Sequence, residues 1–76
     1  MKLTLVTTKN CNTCKRVESL LKKFISKKVN VNLLIIDIND FKKPGIPIVP
    51  ALLIEDELFS YGEVDENKLS RKLINV

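Results

Sequence analysis

The 76-residue sequence holds two cysteines, and they stand two residues apart in Cys11-Asn12-Thr13-Cys14. At the opening of a helix, sulfurs at that spacing lie within disulfide reach. The first would sit at the positive end of the helix dipole, beside backbone amides that have no intrahelical partner, and both features stabilise a thiolate. Lys9, Lys15 and Arg16 add positive charge nearby, so the Cys11 thiol is expected below the ordinary value of about 8.5. Cys14, one turn inside the helix, is further from those donors. The roles then divide: Cys11 attacks a substrate disulfide, and Cys14 resolves the mixed disulfide by attacking Cys11.

Thiolates also hold metals. Zinc needs four ligands, whereas the chain has two cysteines and no histidine, so a structural zinc site within one chain is not expected. Cu(I) is satisfied by two thiolates. Small heavy-metal-associated metallochaperones have this length and carry Cys-x-x-Cys after their first strand. They usually have methionine where this chain has Lys9, and they end in a strand where residues 65–74 here read as helix. Cu(I) binding, and an iron–sulfur cluster shared between two copies, stay open as alternatives at the same pair.

The surrounding elements must position that pair. Lys2 to Thr7 alternates apolar and polar residues and reads as a strand. Val17, Leu20, Leu21, Phe24 and Ile25 repeat at helical spacing, which predicts an amphipathic helix starting at or next to Cys11. Val29 to Ile38 is nearly continuously apolar and reads as a strand covered on both faces, paired in parallel with the first. Asn39 to Val49 is a stiff connection. Asn39 or Asp40 would cap a short helix around Phe41-Lys42-Lys43, which Pro44 and Pro47 keep to a turn or two. A hairpin follows, with strands Ala51–Glu55 and Leu58–Tyr61 about an Asp56-Glu57 turn, closed by Gly62. Asp65 reads as the N-cap of a last helix, with Val64 and Leu69 as a hydrophobic staple and Leu69, Leu73 and Ile74 as its inner stripe.

Length and composition bound the rest. Residues 1–76 are expected to form one small domain, with 45% apolar residues and no low-complexity tract. The net charge of +4 comes from 13 basic and 9 acidic residues. The doublets Lys15-Arg16, Lys22-Lys23, Lys27-Lys28 and Lys42-Lys43 read as a solvated helix face and loops. Three phenylalanines and one tyrosine, with no basic–aromatic interleaving, argue against nucleic acid as a partner. The longest apolar run, Leu33 to Ile36, is too short to span a membrane. The first residues do not read as a signal peptide, so the expected location is the cytoplasm, where a close cysteine pair is redox-active or metal-binding rather than structural.

The chain resembles the thioredoxin-like superfamily, and within it the short, glutaredoxin-sized redox-active-disulfide proteins. Three features carry the resemblance: a strand leading into Cys11-Asn12-Thr13-Cys14 and a helix; Ile48-Val49-Pro50 leading into a strand; and a hairpin, Gly62 and a C-terminal helix. It implies an α/β fold with a four-stranded mixed sheet flanked by helices, in the order β-α-β-(short α)-β-β-α. It implies a thiol-disulfide oxidoreductase with Cys11 and Cys14 catalytic and no cofactor beyond their redox-active disulfide. It also places a cis Pro50 beside the pair, with Val49 offering backbone hydrogen bonds to an extended substrate. Lys9, Asn12, Thr13 and Gly62 are the other expected substrate-binding residues. The implied partners are disulfide-containing proteins or small disulfides, with a thioredoxin-reductase-type enzyme or glutathione as reductant, and the protein is expected to be a monomer. A non-catalytic adaptor with the same fold is the remaining alternative. Asn12 stands where most of these proteins have proline, which changes the reduction potential. Thr13 replaces a common tyrosine, and Tyr61-Gly62 a common Gly-Gly pair.

Overall fold

The computed structural model describes residues 1–28, 30–41 and 48–72. Alternating side chains make Lys2–Thr7 a strand, β1, and Leu3 to Val6 are buried in succession because β1 is an inner strand of the sheet. The sheet order is β2-β1-β3-β4, with β2 (Asn32–Asp37), β3 (Ala51–Ile54) and β4 (Glu57–Tyr61). β2 runs parallel to β1, from Lys2↔Asn32 to Thr7↔Asp37. β3 runs antiparallel to β1, with Val6 opposite Ala51, and β4 antiparallel to β3. This is the mixed four-stranded sheet that the resemblance implies.

β2 departs from its expectation. It is an edge strand, shorter than 29–38, and Leu34 is 50% exposed. A run of consecutive apolar residues does not fix a strand's position in the sheet: no residue of β2 is fully buried, and the strands covered on both faces are the two inner ones, β1 and β3. Val29 lies outside the described residues.

Helix α1 (Asn12–Ile25) covers one sheet face: Val17 and Leu21 pack with Leu3, Leu5, Leu52 and Ile54, joined by Leu69 of helix α2 (Glu66–Lys72). Each fully buried leucine of this set contributes about 1.5–3 kcal/mol. The other face centres on Val6, Ala51 and Leu53, with Ile36, Ile38, Phe41 and Val49 packed around them. α1 closes at Ser26, whose N–H donates to the Lys22 carbonyl at 3.1 Å and whose hydroxyl donates to that of Lys23 at 2.7 Å. Lys22 and Lys23 occupy its last turn, the favourable end for cations.

The hairpin turn is Glu55-Asp56, one residue earlier than the sequence suggests. Ile54 pairs with Glu57, and both turn residues have positive φ, 51° and 68°. That is the twist a two-residue hairpin loop demands, here met without glycine. Asp65 caps α2 as expected, its Oδ1 accepting the N–H groups of Asn67 at 2.9 Å and Lys68 at 3.3 Å. Val64 and Leu69 are buried in the same cluster, in keeping with the staple. Leu73 and Ile74 lie outside the described residues, as does most of the short helix expected around Phe41-Lys42-Lys43. In the turn that follows β2, Asp37 Oδ1 accepts the Asn39 N–H at 2.8 Å. No helix among the described residues is long and apolar enough to cross a membrane.

Candidate active site

β1 delivers the chain to its functional turn at Thr7. Thr8 to Asn10 then reverse direction, and Asn10 takes a positive φ of 59°, a conformation that asparagine tolerates better than most residues. Cys11 follows in extended conformation as the N-cap of α1, and Asn12 and Thr13 begin the helix. A sulfur occupies the capping position here: Cys11 Sγ accepts the N–H of Cys14 at 3.0 Å, while the Cys11 carbonyl accepts that of Lys15 at 3.2 Å. Cys11 and Cys14 form a disulfide with their Cα atoms 5.2 Å apart. The two sulfurs are unequally accessible, since Cys11 is half-buried whereas Cys14 is 4% exposed and belongs to the core.

The start of β3 reaches the same end of the sheet. Ala51 is paired with Val6, which puts Pro50 next to Thr7, where β1 ends. Pro50 is buried, Val49 is half-buried, and the Val49–Pro50 peptide is cis. Gly62 joins them from the end of β4, its N–H donating to the Pro50 carbonyl at 2.7 Å and its φ at +66°. The loops carrying Cys11, Pro50 and Gly62 thus lie at the same end of the sheet.

Of the expected substrate-binding residues, Asn12 and Thr13 lie in the first turn of α1, Asn12 exposed and Thr13 half-buried. Lys9 is also exposed, but it falls on a different flank. It lines a cleft of about 260 Å³ with Thr7, Thr8, Asn10, Lys15, Glu18 and both cysteines; Val49, Pro50 and Gly62 do not line it. The disulfide therefore has a cleft on one side, with two lysines and one glutamate, and Pro50 and Gly62 lie outside that cleft. Glu18 stands four residues after Cys14, and that one-turn spacing is the sequence signal for its place in the cleft. Arg16 and Glu63 form an ion pair at 2.7 Å across 47 residues, and no local pattern could reveal it. Glu63 is thereby engaged with Arg16 rather than placed in the cleft that holds the sulfurs.

A buried and a half-exposed sulfur, joined at a helix N-terminus, suit redox chemistry of thiol and disulfide. The family model described as thioredoxin domain matches residues 1–75. No curated protein matches the chain.

Proposed function

The chain belongs to the thioredoxin domain family, and from that premise we propose that it is a dithiol-disulfide oxidoreductase. The observation that carries this reading is the asymmetry of the pair: Cys11 Sγ caps the helix and accepts the Cys14 N–H, while Cys14 is buried. In the reduced protein the same N–H would face a Cys11 thiolate, which a hydrogen-bond donor and the helix N-terminus both favour.

The Cys11 thiolate attacks one sulfur of a substrate disulfide, forming a mixed disulfide and expelling the other sulfur as a thiolate, which takes a proton from water. Cys14 then loses its proton to solvent and attacks Cys11 Sγ. The Cys11–Cys14 disulfide re-forms, and the second substrate sulfur leaves as a thiolate that takes a proton from water. Substrate gains two electrons from the protein and two protons through solvent, to which Cys14 has given one. A reductase of the thioredoxin-reductase type, or glutathione, returns the electrons. Val49 and Pro50 bind an extended substrate through backbone contacts on one flank, with Asn12, Thr13 and Gly62 around it, and Lys9 serves acidic substrates on the other.

The test is insulin-disulfide reduction with dithiothreitol as electron source. The parent chain should turn over well above the uncatalysed rate. Iodoacetamide should label Cys11 before Cys14, with a half-maximal rate below pH of about 8.5. Background turnover together with stoichiometric Cu(I) uptake would favour a metal-binding pair instead. Preferential labelling of Cys14 would reverse the assignment of roles.

A further inference from the structure

We propose that Arg16 and Glu63 form a clasp that sets the width of the substrate groove, favouring extended peptide disulfides over small ones. This rests on the oxidoreductase reading and adds the substrate class to it. Arg16 Nη2 donates to Glu63 Oε1 at 2.7 Å, Arg16 Nε reaches the same oxygen at 3.3 Å, and Nη2 also donates to Thr13 Oγ1 at 3.0 Å. Thr13 lies between the two cysteines. Glu63 follows Gly62, whose N–H is held by the Pro50 carbonyl at 2.7 Å. One run of hydrogen bonds and covalent links therefore joins the redox turn, the Gly62 loop and the Pro50 strand.

The pair is too exposed to serve mainly stability, with side chains 61% and 63% accessible, and exposed ion pairs contribute little to folding. Its effect is positional. A Cβ placed on Gly62 would meet no atom within 4 Å, so the space beside that residue is open, and a passing chain has room there. Glu63, the next residue, is drawn toward the first turns of α1 by the forked guanidinium. Releasing it would leave Gly62 tethered by its backbone bond alone and let the loop move away from Thr13. An extended peptide touching both Val49 and the Gly62 loop would then be held less well. A small disulfide that touches only the sulfurs would not register the change.

The experiment measures kcat and KM of the full chain on an extended peptide disulfide and on hydroxyethyl disulfide. The proteins compared are the parent, Arg16→Gln, Glu63→Gln, Arg16→Lys and the double glutamine variant. Each glutamine variant should raise KM for the peptide about threefold. Glu63→Gln should do so at unchanged kcat and with hydroxyethyl disulfide unaffected, whereas Arg16→Gln, which also removes positive charge near Cys11, should in addition slow both substrates alike. The double variant should be no worse than either single one, because both remove the same contact. Arg16→Lys, which keeps the charge and loses the fork, should fall between. High salt should raise the parent's peptide KM toward that of the variants. Equal losses on both substrates in Glu63→Gln, additive losses in the double variant, or an unchanged peptide KM would overturn the clasp while leaving the oxidoreductase reading in place. A parent that turns over neither disulfide overturns both.

Discussion

At the Lys2 end of the sheet the hairpin turn folds back onto β1. The Glu55 N–H donates to the Lys2 carbonyl at 2.9 Å, Glu55 Oε1 accepts the Lys2 N–H at 2.8 Å, and Lys2 Nζ meets Asp56 at 3.2 Å. At the Thr7 end the loops carrying Cys11, Pro50 and Gly62 are joined instead by the Gly62–Pro50 bond and the Arg16–Glu63 pair. The first end spends its polar groups on contacts within the fold. Clefts open at both ends, but the one at the second end is lined by both cysteines, and the space next to Gly62 is open as well. Both grow from the same strands, so the division between closure and chemistry lies in the loops, as is usual where a rigid scaffold carries a site.

Four substitutions test that division. Cys11→Ser should lower disulfide turnover at least about a thousandfold in the insulin assay, because it removes the attacking atom. The urea midpoint of the reduced variant should match that of the reduced parent; a large shift would show the Thr7 end to be structural too. Leu21→Ala, in the core that both ends share, should cost about 2–5 kcal/mol in urea unfolding. Amide exchange at the two ends should accelerate together, and an end that kept its protection would show them to be separate units. Asp65→Ala removes the α2 cap just beyond the Gly62 loop and should cost about 1 kcal/mol, leaving turnover by the folded fraction unchanged. Lys2→Ala should be the mildest. It breaks an exposed ion pair at the far end and should shift stability by about 0.2–1 kcal/mol at constant kcat/KM.

Much of this was legible in the residues because the determinants are local. Alternation delimits β1 at Lys2 and Thr7, helical spacing with a cysteine cap starts α1, and Asp65 with Val64 and Leu69 marks the start of α2. Other features depend on partners distant in sequence. The apolar run of β2 predicts a strand covered on both faces, yet the strand lies at the edge with Leu34 half exposed, which nothing in the run reveals. The hairpin turn lacks the glycine that would have fixed its register, and it lies one residue away from where the hydrophobic pattern puts it. Cys11, Cys14, Val49, Pro50 and Gly62 could be named from the motif and the family resemblance. The Arg16–Glu63 contact joins residues 47 apart, so only the fold reveals it.

One irregularity in β4 bears on how the protein behaves at high concentration. Leu52 pairs with Ser60 and Leu53 with Leu58, so Phe59 has no place in the ladder and forms a bulge in an edge strand. An edge strand otherwise presents a regular row of free N–H and C=O groups, a template on which another chain can add and start a growing aggregate. Leu58, 43% exposed, would make that edge adhesive. A bulge bends the strand and sharpens its twist. A second chain pairing from Glu57 would lose register two residues later, so β4 resists fibril growth through the shape of its backbone rather than through charge.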